Sequence, residues 1–189
     1  MGSFINNIHI YGLTEQDVIN VLKPTIKAPA HVAVSGINWV SVYPAESEAV
    51  QDLAQKLSAE LSTGVFAMMV HDDDILFFHV FEHGMMVDEF NSNPLYFSDT
   101  TGDETGDEEA EEANGNPDVL LKYALPGTPA SEIRETLEEI KLELFASHGL
   151  TSLAHIFGID DTCARATSRH IKRGETIPGI ELRVVTPEG

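Results

Sequence analysis

The chain has 189 residues, of which 42% are apolar and 22% are charged, enough to bury the core of one generous domain. Thirty-one acidic residues against eleven basic ones give a formal net charge of -20, which disfavours nucleic acid and anionic lipid as partners. The single cysteine, Cys163, rules out a scaffold of intrachain disulfides. The same cysteine content favours the cytoplasm as location. Because no apolar stretch approaches the roughly 20 residues of a membrane span, we expect a protein that does not cross a membrane.

The first third of the chain alternates strand and helix signals. Residues 7–11 have the composition of a strand, and Thr14 is a suitable N-cap for the helix that follows. The runs 31–35 and 39–43 predict a hairpin. Apolar residues at helical spacing then predict a second helix, between residues 47 and 64.

Residues 65–90 carry the clearest β pattern of the chain. The runs 65–70, 75–82 and 85–90 are separated by short turns and predict a three-stranded meander. In the first two runs, apolar residues occupy both the odd and the even positions, so that both faces of each strand are apolar. This is typical of strands that are covered on both faces. The order of elements resembles the ferredoxin-like βαββαβ unit with extra strands.

The predicted fold class is therefore α+β, with a mainly antiparallel sheet whose second face is covered by C-terminal helices. We expect three regions: a sheet domain over residues 1–97, an acidic flexible loop or linker over 98–117, and a helical region over 118–189 that packs on the sheet and ends in a strand. Helices are expected from Thr128 to near Gly149, over 151–157 and over 160–173, and the last strand is expected over 180–185.

A turn rich in carboxylates is the first place that could carry chemistry. His71, Asp72 and Asp74 lie between two predicted strands, and such side chains could hold a divalent cation that activates water. This pattern supports a metal-dependent hydrolase as an alternative function. The structural interpretation is a solvated hairpin turn, in which aspartate is favoured by hydrogen bonds to its own backbone.

The acidic segment offers a second set of carboxylates. Asp99, Asp103 and Asp107 are candidate ligands for Ca²⁺, but their spacing matches no EF-hand loop. The favoured interpretation is a solvating charge run. Because signatures of phosphate-binding loops, nucleophile elbows and zinc helices are absent from the sequence, we expect no cofactor and favour a protein that is not an enzyme.

Basic residues are concentrated in one segment of the C-terminal region. Arg165, Arg169 and Arg173 recur every four residues, with Lys172 beside them, and predict one basic stripe on one helix. The favoured interpretation is a solvated helix face, and the alternatives are pairing with the acids of the 98–117 segment or contact with an acidic partner or another copy of the chain. Residues 150–170 also resemble a helix-turn-helix, which implies DNA binding as a further alternative.

The leading functional hypothesis is a non-catalytic acidic domain that binds or sequesters a basic protein. It depends on the net charge of -20 and on the missing catalytic signatures. The identity of the partner and the oligomeric state, including a homo-oligomer, are left open by the sequence.

Overall fold

The computed structural model describes residues 3–96, 113–174 and 176–188, and the part of the chain that it describes has a mixed α+β fold. Seven strands form one sheet in the order β6-β5-β4-β1-β3-β2-β7, and each neighbouring pair is antiparallel. The strands are β1 (Ile5–Tyr11), β2 (Ala30–Gly36), β3 (Trp39–Tyr43), β4 (Val65–His71), β5 (Ile75–Glu82), β6 (Met85–Asn91) and β7 (Arg183–Val185).

Two helices lie among the first six strands, and five more, of very different length, follow β6 before the last strand in the described part of the chain. They are α1 (Glu15–Thr25), α2 (Val50–Leu61), α3 (Pro117–Leu120), α4 (Ala130–Ile140), α5 (Ala146–Phe157), α6 (Asp161–Arg165) and α7 (Ser168–Lys172). Thr14 caps α1 as expected, in a reciprocal capping box with Asp17. Among the described residues, no helix combines the length and the apolar character needed to cross a membrane.

The predicted meander is confirmed, because β4, β5 and β6 pair in sequence with short connections. Every residue of β4 from Val65 to Val70 is buried, which is the burial expected for a strand without a polar face. The last strand, expected over 180–185, is shorter than predicted and pairs with β2 at one edge of the sheet.

One face of the sheet packs against α1 and α2. Side chains of alternate strand residues, such as Ile8 and Ile10, form a buried apolar cluster with Val18 and Leu22 of α1 and with Leu57 of α2. We call this the α1–α2 face. The regular spacing of the apolar residues explains why both helices could be predicted from the sequence.

The opposite face has two different halves. Its aromatic half contains Trp39, Phe66 and Phe78 in one cluster with residues of α4 and α5, among them Leu137 and Leu153. The Trp39 indole donates a hydrogen bond of 2.7 Å to the Phe157 carbonyl at the end of α5. Its polar half is formed by Asn7, His9, Ser41 and Tyr43, all of them buried.

Candidate functional site

The acidic hairpin turn at residues 71–74 makes structural contacts with the start of α5. Asp72 and Asp73 adopt left-handed backbone conformations with φ of 52° and 64°. The Asp73 carbonyl accepts a hydrogen bond from the Ala146 amide at 2.8 Å, and its carboxylate accepts one from the Ser147 amide at 2.9 Å. Asp73 therefore caps the N-terminus of α5 from a distant part of the chain.

The candidate residues on either side of Asp73 do not form a set of metal ligands. No group of three His, Cys, Asp or Glu side chains within residues 3–96, 113–174 and 176–188 is arranged to hold a metal ion. The Asp74 carboxylate instead accepts a hydrogen bond of 3.2 Å from the Tyr96 hydroxyl, and the His71 ring contacts the edge of Phe4. Within the described residues, His71, Asp72 and Asp74 are thus not brought together as three ligands of one ion, and their use by a metal-dependent hydrolase stays a prediction. Asp99, Asp103 and Asp107 lie outside the described residues.

The prediction of a single basic helix over residues 160–173 is wrong. The chain forms two five-residue helices, α6 and α7, because Ala166 and Thr167 between them have extended backbones with ψ of 149° and 157°. Arg165 pairs with Asp161 at 3.3 Å, and Arg169 pairs with Glu46 at 2.8 Å. Arg165 lies in α6 and Arg169 lies in α7, so they do not form one stripe. Lys172 and Arg173 are exposed at the end of α7.

The same break changes the helix-turn-helix prediction for residues 150–170. The second helix of that motif is expected over residues 162–169, but this segment is divided between α6, which has only five residues and buries Cys163 and Ala164, and the start of α7. A recognition helix needs several exposed positions along one face to reach base edges. The expected recognition helix is not formed.

A buried chain of polar side chains binds the backbone at the break between α6 and α7. The Asn7 amide donates hydrogen bonds to the carbonyls of Ala164 at 2.6 Å and Ala166 at 3.2 Å. The Asn7 oxygen is then left to accept from His9 Nε2 at 3.0 Å, and His9 Nδ1 accepts from the Ser41 hydroxyl at 2.7 Å. All hydrogen bonds in this polar chain run in one direction, from Ser41 to the backbone of residues 164–166.

This polar chain has the residue types of a catalytic serine relay but not its accessibility. Asn7, His9 and Ser41 each have 0% of their surface exposed, so no substrate could reach the serine oxygen in this conformation. Burial lowers the pKa of His9 to about 3, which keeps the imidazole neutral. The polar chain therefore acts as a structural connection.

The neighbouring residues complete the polar half of this face. The Tyr43 hydroxyl donates to the Cys163 carbonyl at 3.1 Å, and burial raises the pKa of the tyrosine. Burial also raises the pKa of the Cys163 thiol to about 11, so it remains protonated at neutral pH and is a poor nucleophile. Sequence reasoning missed these roles, although the alternation of Asn7 and His9 with Ile8 and Ile10 shows a polar side of β1.

The surface offers a different kind of candidate site around α4. Its outward side carries exposed Glu132, Glu135, Glu138 and Glu139, which we call the α4 acidic face. Three large apolar side chains follow directly in the connection to α5. Leu142, Leu144 and Phe145 are 84%, 85% and 51% exposed, and we call them the apolar corner. Exposed apolar groups beside charged ones are typical of binding surfaces.

Comparison of the chain with protein families, curated proteins and solved structures found no match. No function is carried over from another protein.

Proposed function

We propose that the protein is a non-catalytic interaction domain that binds a basic, amphipathic segment of a partner protein. The observation that carries this proposal is the apolar corner, with Leu142 84% and Leu144 85% exposed next to the α4 acidic face. Burial of these leucines by a partner would stabilise the complex, while the glutamates would favour positively charged partners.

The electrostatics of the whole chain support the same class of partner. A net charge of -20 attracts basic proteins over a distance of about one Debye length, roughly 10 Å at 0.1 M salt. In α4, Arg134 is the basic residue among the exposed glutamates. A basic segment that lies along α4 would therefore meet mostly carboxylates.

We also infer that β1, α1, β2, β3, α2 and β4 form a ferredoxin-like unit and that the C-terminal helices cover its second face. The central strand order β4-β1-β3-β2 supports this interpretation. In this arrangement α4 and α5 would hold the proposed binding surface on the sheet. We place the protein in the cytosol, where the buried thiol of Cys163 would remain reduced.

The proposal is tested with a defined probe, an amphipathic lysine- and leucine-rich helical peptide, titrated into the protein at several salt concentrations. We expect binding to weaken by at least about tenfold between 50 and 300 mM salt. A variant in which Glu132, Glu135, Glu138 and Glu139 are all changed to Gln should weaken binding at low salt by a similar factor.

A matched variant removes the same number of charges elsewhere. It changes four exposed acids to their amides, and the acids are Asp52, Glu60, Glu181 and Glu188. We expect less than about threefold weakening, since distant charges are screened. Equal losses in the two variants would contradict the placement on α4, and binding that does not depend on salt would contradict the electrostatic basis.

The apolar corner has its own control pair. Leu142→Ser with Leu144→Ser should weaken peptide binding by at least about tenfold, because two apolar contacts are lost. Ile37→Ser with Met85→Ser changes two side chains that are each 71% exposed, far along the chain from α4, and should leave binding unchanged. The proposal fails if the two pairs weaken binding equally.

A further inference from the structure

A pocket of about 350 Å³ opens beside the turn between α6 and α7. Its lining combines one arginine and one histidine with hydroxyl side chains and aliphatic side chains. Representative residues are Arg165, His170, Ser147, Thr162, Ile5 and Ile171. Its volume falls in the range of small-molecule sites, which typically combine apolar walls with a few convergent polar groups.

The guanidinium of Arg165 is held in place at this pocket. Arg165 Nη2 lies 3.3 Å from one carboxylate oxygen of Asp161, and the other oxygen of Asp161 accepts a hydrogen bond of 2.6 Å from the Thr151 hydroxyl. A guanidinium has five N–H donors, and this ion pair uses one nitrogen. Donors therefore remain for a second carboxylate, in the paired geometry that arginine favours.

The buried polar chain holds the backbone of the pocket wall that carries Arg165. Asn7 binds the carbonyls of Ala164 and Ala166, on the two sides of Arg165, and Ala166 itself lines the pocket. The Thr167 hydroxyl accepts from the His170 amide at 3.3 Å and starts the short helix that presents His170. A pre-organised wall lowers the entropy lost when a ligand binds.

We propose that this pocket binds a short aliphatic carboxylate. The carboxylate would pair with Arg165 and accept a hydrogen bond from His170, and the hydrocarbon chain would lie against Ile5 and Ile171. The aliphatic part of the lining favours this ligand over a compact, fully hydrated anion such as inorganic phosphate, which has no apolar surface to bury.

The probe for the test is hexanoate, with hexanol and inorganic phosphate as comparison ligands, titrated into ¹⁵N-labelled full-length protein. We expect saturable shifts of amide signals at residues that line the pocket. Hexanol, which lacks the charge, and phosphate, which lacks the chain, should each bind at least about tenfold more weakly. Absence of saturable hexanoate shifts at the pocket, or tighter binding of phosphate, would overturn the proposal.

Two ion-paired arginines provide a matched pair of variants. Arg165 is 47% exposed and pairs with Asp161, whereas Arg183 is 48% exposed and pairs with Glu15. Arg165→Gln should weaken hexanoate binding by at least about tenfold, and Arg183→Gln by less than about twofold. His170→Gln is a second pocket variant, expected to weaken binding about threefold. Equal affinities for Arg165→Gln and Arg183→Gln would overturn the proposal.

The pocket and the proposed partner surface share no residue, so the two proposals can fail separately. Hexanoate binding is measured without a protein partner, and the peptide titration is measured without a carboxylate. Loss of peptide binding in the α4 variants with normal hexanoate binding would support both assignments.

Discussion

The two sides of β1 show two ways of holding a sheet to its cover. Ile8 and Ile10 face α1 and α2, and Asn7 and His9 face the backbone of residues 164–166; all four side chains are completely buried. On the first side apolar contacts join regular helices to the strands. On the second side directed hydrogen bonds hold two helices of five residues each.

Burial alone therefore does not determine the backbone conformation of the segments that cover the sheet. Apolar packing is non-directional and tolerates many helix positions, whereas a hydrogen bond to a particular carbonyl fixes one backbone conformation. Each buried donor or acceptor also needs its partner, because a buried polar group without one costs about 1–3 kcal/mol. The polar half should therefore be the more sensitive to small substitutions.

The largest effect that tests this comparison is expected from Asn7→Ala. The change removes the donor to two buried carbonyls and the acceptor for His9, so we expect a loss of about 3 kcal/mol in the free energy of unfolding. Urea denaturation measures the loss. Amide hydrogen exchange should increase mainly over residues 161–173.

Ile8→Ala is the control on the other side of the same strand. Its cost should be similar, about 3 kcal/mol, because a large buried side chain is truncated in the apolar cluster. The increase in hydrogen exchange should then fall on α1 and α2. The proposed difference between the two sides of β1 is contradicted if Asn7→Ala lowers the free energy of unfolding by less than about 1 kcal/mol. It is also contradicted if both variants raise hydrogen exchange in the same segments.

Much of the α1–α2 face could be predicted from local sequence. Thr14 stands three residues before Asp17, and this pair forms the capping box that starts α1. The apolar spacing of α2 and the continuous apolar runs of β4 and β5 likewise identify their elements. In each case the deciding interactions lie within a few residues or follow from one period.

The polar half could not be predicted in that way. Residues 160–173 contain no proline or glycine, and local propensity therefore favours one continuous helix. The side chain that binds the backbone where this helix is interrupted is Asn7, which is 157 positions away from Ala164 in the sequence. The same reason applies to Asp73, whose role as a helix cap depends on the position of α5 in the fold. Aspartate is favoured in turns, so the turn itself is predictable from the sequence, but the cap carries no local signal.

The second prediction concerns pH and the neutral state of His9. Its pKa is lowered from 6.5 to about 3 in the folded protein, so the unfolded state binds the proton more tightly. The stabilising effect is fully present above pH 6.5 and is lost as the pH falls towards 3. Between pH 7 and pH 5 we expect a loss of about 2 kcal/mol from this one group.

The contribution of His9 is isolated by comparison with His9→Gln, which removes the titration. The free energy of unfolding of the variant should fall about 2 kcal/mol less over the same pH range. Asp88 works in the opposite direction, because burial raises its pKa to about 6, but it is present in both proteins. An imidazolium signal from His9 in ¹⁵N spectra of the folded protein at pH 5 would contradict the assignment.

The smallest effect compares a helix cap from a neighbour with a helix cap from far along the chain. Thr14 caps α1 locally, whereas Asp73 caps α5 from the turn between β4 and β5. Thr14→Ala and Asp73→Ala should each lower the free energy of unfolding by about 1 kcal/mol. Only Asp73→Ala should raise hydrogen exchange in the first turn of α5, because it also separates that turn from the hairpin.

Asp72→Ala is needed as a control for the backbone, since Asp72 and Asp73 both have left-handed conformations that alanine disfavours. The cost of the cap is therefore the cost of Asp73→Ala beyond that of Asp72→Ala. Asp73→Asn keeps an acceptor oxygen and the preference for this backbone, so it should recover most of that difference. If Asp72→Ala and Asp73→Ala cost the same and neither changes exchange in α5, the hairpin does not stabilise the start of the helix, and the carboxylates of this turn would again need another explanation.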